Sequence, residues 1–314
     1  MPSGLQLKPA LSFMSRIKRK TQQYIPLSLI PETLQGILLA LMSTGLFVIT
    51  GVLVRILSER IDLFQVLLFR QLIFILVLLP AIIMTFDTLM KPRLVHLHAL
   101  RITGAFFALY LGFVTVSHIP LADATALGFS QVLFVALISR AFLAEPVGMI
   151  RIITILIGFV GVLFVVQPSF ADSSLLYTFT GFSAALGAAI AVSCVKKMAK
   201  TETRTALLSY QAIFVGFIAL IPSLYVWQWP TAYEWLLLVL VGAISSVAQW
   251  LGVSAYKLAQ ANVIANVEYA KIIYSTALGY FLFNELPNTL ASIGIVIIIA
   301  SAFVPLLRRA SVGH

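Results

Sequence analysis

Glu268 and Lys271 are the residues whose types and spacing point most directly to chemistry. They stand three apart in an otherwise apolar stretch, so a helix sets both on one face with Ser275 and Gly279. A charge inside a hydrocarbon layer costs about 2.5–3.5 kcal/mol on insertion scales and needs a partner or a watery cavity. The pair is read in two ways. It is a self-neutralising ion pair that lets a polar helix sit in a bundle, or it binds a zwitterion or serves as a coupling carboxylate beside a movable cation. Asn262, Asn266 and Tyr269 add a second polar stripe to the same helix. A helix with two polar faces has no good place against lipid, which predicts a central position for it.

Other candidates are spread along the chain. Arg70 falls about two turns into an apolar segment, where snorkelling toward a headgroup competes with a role in binding. Tyr110 and Trp250, with Gln249, offer aromatic faces to an apolar or cationic solute, and Gln131 is a further cavity candidate. Asp123 follows Pro120 at a helix start and suits the positive end of the helix dipole. Gly181, Ala185, Ala189 and Ser193 recur every four residues, a stripe assigned to helix packing and not to ligand contact. His96-Leu97-His98 is a weak metal pattern and reads better as a pair of interfacial histidines. The sequence carries no G-x-x-x-x-G-K-[ST] loop, no H-E-x-x-H pair and no G-x-S-x-G elbow, so no catalytic residue, metal or cofactor is expected. Cys194, the single cysteine, has no partner for an intrachain disulfide.

The elements that must position these residues follow from composition. Of 314 residues 61% are hydrophobic and 10% charged, far below the quarter usual in soluble domains. The apolar residues fall in blocks of about 20, the length that spans a bilayer core. Ten spans are expected, at roughly 34–54, 64–84, 98–117, 121–143, 149–167, 179–198, 207–227, 234–256, 260–283 and 288–307. Ten spans put both termini on one side. With that side cytoplasmic, seventeen of the 21 Lys and Arg residues face inward, Arg55 and Arg60 face outward, and Arg70 and Lys271 lie within spans. This distribution explains the net charge of +10 and makes nucleic-acid binding an unnecessary reading. The run from Leu34 to Leu57 is too long for a signal-peptide core and is read as the first span. Upstream, residues 1–33 form a basic cytoplasmic tail. There Ala10, Leu11, Met14 and Ile17 either lie on an anionic leaflet or belong to a disordered segment.

The sequence also repeats at an offset of 140: Tyr110-Leu111-Gly112 matches Trp250-Leu251-Gly252, and Phe142-Leu143-Ala144-Glu145 matches Leu282-Phe283-Asn284-Glu285. At similar offsets Leu34-Gln35-Gly36 matches Phe179-Thr180-Gly181, and Pro80 matches Pro222. Five spans per repeat force the halves to cross the membrane in opposite senses. The expected fold is therefore an all-α integral membrane protein of two inverted five-helix repeats, residues 34–168 and 179–307, with a short cytoplasmic tail at 308–314. Such a duplication supports alternating access by exchange of the two halves' arrangements.

The chain resembles the EamA-type members of the drug/metabolite transporter superfamily over residues 34–307. The resemblance rests on Phe69-Arg70, Ile119-Pro120-Leu121-Ala122-Asp123-Ala124, Gly158-Phe159-Val160-Gly161, Ala259-Gln260-Ala261-Asn262 and Phe283-Asn284-Glu285. It implies a central cavity lined mainly by spans 1, 3, 4, 6, 8 and 9 and the movement of small metabolites. Many relatives carry a proline inside the fourth span; here the chain reads Phe129-Ser130-Gln131-Val132, so the resemblance carries no hinge to that point. The expected activity is secondary transport of a small polar or amphiphilic metabolite across an inner membrane, an amino-acid-like or other zwitterionic solute being favoured. The remaining partners would be membrane lipid and a coupling proton or counter-substrate. An intramembrane enzyme acting on a lipid-linked substrate and a noncatalytic membrane scaffold are the alternatives.

Overall fold

The computed structural model describes residues 31–142, 148–167, 174–260, 263, 264, 267 and 270–311, all helical or connecting. In lipid no water is present to satisfy backbone N–H and C=O groups, so apolar segments of this length close their hydrogen bonds within helices. The helices are α1 (Glu32–Leu57), α2 (Leu63–Met84), α3 (Val95–His118), α4 (Leu121–Gly128), α5 (Ser130–Phe142), α6 (Met149–Val166), α7 (Ser174–Met198), α8 (Arg204–Tyr225), α9 (Ala232–Leu258), α10 (Ala270–Phe283) and α11 (Thr289–Ser311). A single extra turn, Phe86–Leu89, follows α2. Among the described residues, seven segments are long and apolar enough to cross a membrane, one of them Leu121–Ile138 across α4 and α5. The apolar stretches Ile152–Val165, Ala270–Phe283 and Thr289–Ser301 are shorter.

Large apolar side chains point outward as well as inward. Leu76, Ile83, Phe217, Ile221 and Val296 are each more than half exposed, a pattern suited to lipid and not to water. With apolar chains available on both sides, burial of Leu or Ile does little to join two helices in a bilayer, and close backbone packing takes over. This occurs at two glycine pairs. α3 crosses α7 where a Cβ on Gly104 would lie 2.7 Å from the Gly187 carbonyl oxygen, and one on Gly187 would lie 2.6 Å from that of Gly104. α6 crosses α11 in the same manner at Gly161 and Gly294, at 2.9 and 2.6 Å. Elsewhere α1 packs on α9 and α2 on α8, the latter two each holding a proline within the helix, Pro80 and Pro222.

The fourth apolar segment is broken despite having no proline. Phe129 accepts no place in either α4 or α5; its N–H donates to Ala126 O at 3.0 Å and its carbonyl accepts from Val132 N–H at 2.9 Å. These i to i+3 bonds tighten the chain locally. Gly128, with open space where a Cβ would sit, precedes the break, and the Phe129 ring is buried. The interruption is one residue long, and Phe129 itself keeps right-handed helical dihedrals (φ −67°, ψ −18°).

One end of the bundle is tied by Glu285. After α10, Asn284 adopts a left-handed conformation (φ 54°), which asparagine tolerates better than most residues, and the Glu285 N–H turns back to Gly279 O at 3.1 Å. The Glu285 carboxylate then accepts from the Leu121 N–H at the start of α4, at 2.9 Å, and pairs with Arg55 near the end of α1. Arg55 also lies 4.4 Å over the Phe283 ring. Glu285, not Asp123, supplies the acceptor at this helix start; Asp123 lies in the first turn, within electrostatic reach of Glu285. A second pair at the same end, Arg60 with Glu234, leaves the Arg60 side chain 47% exposed.

Two outcomes test this packing. Gly187→Ala should lower stability by about 1–3 kcal/mol, because its methyl meets backbone that cannot yield, while Gly112→Ala, whose nearest neighbour would be 4.0 Å away, should leave melting unchanged. Glu285→Ala, which strands both Arg55 and a helix N–H, should cost about 1–3 kcal/mol by thermal or denaturant melting; Arg60→Ala, which removes a solvent-screened pair, should cost less than about 1.

Candidate functional site

A cavity of about 330 Å³ lies inside the bundle. Its walls come from α1, α3, α4, α5, α7, α9 and α10, with two further side chains entering from α2 and α8. Small residues make the space. Gly112 on α3 and Gly252 on α9, which are 140 residues apart, both line it, and α7 contributes Gly181, Ala184, Ala185 and Ala188. The four-residue stripe of α7 thus splits: Gly181 and Ala185 face the cavity, against the packing-only expectation, while Ala189 and Ser193 are buried in helix contacts. The glycine that carries the closest helix contact is Gly187, which lies off that stripe.

The polar lining is dominated by donors. Arg70, Arg101 and Lys271 supply three cations, Gln131, Gln211 and Gln249 supply amides, and Ser43 and Thr44 add hydroxyls. Among the described lining residues there is no carboxylate. Arg70 sits about 10 Å along α2 from its first residue, at 1.5 Å per residue, and is 1% exposed. Its head therefore does not snorkel to a headgroup. It donates to Gln71 Oε1 at 3.3 Å and to Gln249 Oε1 at 3.4 Å, both long contacts. Gln249 in turn donates to Gln211 Oε1 at 3.5 Å. The Arg70 Nε and Gln71 Nε2 atoms are buried with no hydrogen-bond partner among the described residues.

Arg101, counted by sequence on the cytoplasmic side, is 1% exposed and six residues into α3. It donates to the Leu207 carbonyl oxygen at 2.5 Å, at the start of α8. Nearby, His98 is buried against the Tyr210 ring, 4.6 Å between centroids, with Glu202 3.6 Å from its Nε2. His96 is exposed. No group of His, Cys, Asp and Glu among the described residues has the arrangement of a metal site.

The remaining sequence candidates divide. Gln131, Gln249, Lys271 and Arg70 meet at the cavity. Tyr110 and Trp250 are not among its lining residues. Tyr110 stacks on Phe64 at 4.0 Å, and Trp250 is 44% exposed, 5.7 Å beneath the Arg204 guanidinium, as an aromatic near the end of a span would be. They mark the correct level of α3 and α9, but glycines two residues on, Gly112 and Gly252, face inward. Glu268, Asn262, Asn266 and Tyr269 lie outside the described residues, as do Glu145 and the basic tail to residue 30. Sequence reasoning passed over Gln71 and Gln211. Their separation of 140 was the signal that would have found them, two buried amides at equivalent places in the repeat.

Comparison with known proteins agrees with this architecture. The EamA-like transporter family matches residues 34–167 and again 175–307. The chain is 29% identical over 250 residues to the S-adenosylmethionine uptake transporter of Rickettsia bellii, covering 79% of this chain and 85% of that protein. It is 26% identical over 270 residues to the pseudopaline exporter CntI of Pseudomonas aeruginosa, covering 85% and 94%. A riboflavin transporter of Vibrio cholerae is 28% identical over 206 residues, 65% of this chain and 69% of that one. A solved crystal structure superposes with a TM-score of 0.69 at 18% identity, over 89% of this chain and 98% of that chain, which shows a shared fold. An apolar multi-helix bundle, a largely apolar cavity carrying a few polar groups and a doubled family match converge: the chain belongs to the EamA-like transporter family of the drug/metabolite transporters, a multi-pass membrane protein that moves small metabolites and is not an enzyme.

Proposed function

We propose that the protein is a secondary transporter carrying a small polar or amphiphilic metabolite across the inner membrane by alternating access. The carrying observation is the internal cavity, whose volume of about 330 Å³ suits a small metabolite and whose polar groups are held on helices. An amino-acid-like or other zwitterionic solute is favoured, its carboxylate facing the cationic lining of Arg70, Arg101 and Lys271. Either direction of transport is consistent with relatives of which one is named for uptake and another for export. A proton or a counter-substrate would supply the drive.

In this reading the ten spans form two inverted five-helix repeats with both termini cytoplasmic. Helix pairing supports it. α1 with α9 and α3 with α7 exchange places when each span is advanced by five, while α2 with α8 and α6 with α11 map onto themselves. Alternating access then exchanges the two arrangements, and the Glu285 tie at the outer end would have to open in one of them.

Flux in proteoliposomes tests the cavity. Gly112 lines the cavity, so a leucine there takes up part of its volume. With Gly112→Leu, uptake of the transported solute should fall at least about tenfold through lost binding, with melting preserved; undiminished flux would overturn the assignment of the cavity. Glu268 and Lys271 are tested separately. Under the functional reading, Glu268→Gln and the double variant Glu268→Gln with Lys271→Met both fold and both lose transport. A single variant that folds poorly, rescued by the second change, would make the pair structural.

A further inference from the structure

We propose that Arg70, framed by Gln71, Gln211 and Gln249, is the subsite that receives an anionic group of the transported solute, a carboxylate or a phosphate. The proposal rests on the transport reading above and goes on to name the chemistry that the cavity selects. Arg70 lines the cavity from α2 and is 1% exposed, and among the described residues it has no ion pair. A guanidinium held in such a place without a counter-ion is unfavourable unless something negative joins it for part of the working cycle.

A purely structural arginine would look different, and the same bundle provides the comparison. Arg101 joins α3 to α8 through a short bond to a fixed backbone carbonyl, the Leu207 oxygen at 2.5 Å. Arg70 finds no backbone acceptor among the described residues. Its two hydrogen bonds are to the side-chain oxygens of Gln71 and Gln249 at 3.3 and 3.4 Å, near the limit of a hydrogen bond. Its Nε–H, like that of Arg101, and the Gln71 Nε2 amide are buried and without a partner among the described residues, so what sets Arg70 apart is that its bonded nitrogens meet only long side-chain contacts. The cluster thus holds surplus donors around one positive charge. An acceptor with several lone pairs and a negative charge satisfies that surplus, and the planar guanidinium fork matches a carboxylate or phosphate in bidentate geometry.

The glutamines fit this role. An amide neither repels an anion nor neutralises the arginine, and it rotates to offer either its oxygen or its nitrogen. With the subsite empty, Gln71 and Gln249 turn their oxygens toward Arg70, and an arriving anion displaces those long contacts. Gln211 stands behind Gln249, bonded to it at 3.5 Å, and lines the cavity as well.

Matched pairs that differ only at the anionic group provide the test. The full chain, purified in detergent and then in proteoliposomes, is given S-adenosylmethionine against decarboxylated S-adenosylmethionine, methionine against methioninamide, and flavin mononucleotide against riboflavin. Melting shift and uptake are read for each. Within any pair that binds, the anionic member should act at a concentration at least about tenfold lower, the cost of leaving a charge unmet. Arg70→Gln should abolish that preference, and Arg70→Lys, which keeps charge but loses the fork, should retain part of it. A preference confined to the carboxylate pairs names a carboxylate, and one confined to the flavin pair names a phosphate. Equal action of both members on the unmodified chain would overturn the subsite while leaving transport standing, and this comparison holds even if the variants fail to fold. A chain that neither binds nor moves any of the six compounds would count against the transport reading itself, and the subsite would fall with it.

Discussion

Backbone contact between helices is the constraint on which this structure depends. In a bilayer a leucine gains little by leaving lipid for protein, so helices hold together where their main chains approach closely. Gly104 with Gly187 and Gly161 with Gly294 provide two such crossings, and at each a single methyl would separate the pair. The first pair also determines the cavity. α3 and α7 touch at Gly104 and Gly187, and beyond that crossing both carry glycine and alanine on their facing sides. Small side chains let the two helices stay in contact as far as the Thr115–Thr180 hydrogen bond, and they leave room on the cavity side. One residue class thus both closes the bundle and opens its interior.

The cavity sets a second balance, between the cost of buried charge and the need for recognition. Its cations are spread over three helices, Arg70 on α2, Arg101 on α3 and Lys271 on α10. They are not equivalent. Arg101 is committed to a carbonyl and helps fix α3 against α8, and Lys271 is engaged by neighbours. Arg70 rests among amides that hold it loosely. A binding group needs freedom that a structural group must not have, and within one cavity the two kinds of arginine are told apart by what accepts their protons.

The sequence made much of this legible, and the limits are physical. Apolar blocks of bilayer length located the helices because hydrocarbon thickness permits few alternatives. The offset of 140 found the level of the cavity through Tyr110 and Trp250, yet it mistook which side chains face inward. Facing depends on helix rotation, and an almost wholly apolar helix carries too little amphipathic signal to fix it. Aromatic residues attract notice as ligand contacts, whereas the glycines that make room are visible only by what they lack. The burial of Arg101 was hidden for a related reason. A basic residue near a span end is ordinarily a topology signal, and only the packing of α8 shows that its head is sealed inside. Glu268 and its polar neighbours, the most suggestive group in the sequence, lie outside the described residues.

The break at Phe129 has a further consequence. A proline at such a place deletes an amide hydrogen and inserts a ring, so the bend it makes is permanent. Here every residue from Gly128 to Val132 keeps its N–H, and the tight turn is formed by hydrogen bonds that a continuous α-helix would replace one for one. Phe129 itself keeps helical dihedrals, φ −67° and ψ −18°, so the interruption costs the segment no hydrogen-bonding group and carries no covalent bias toward a bend.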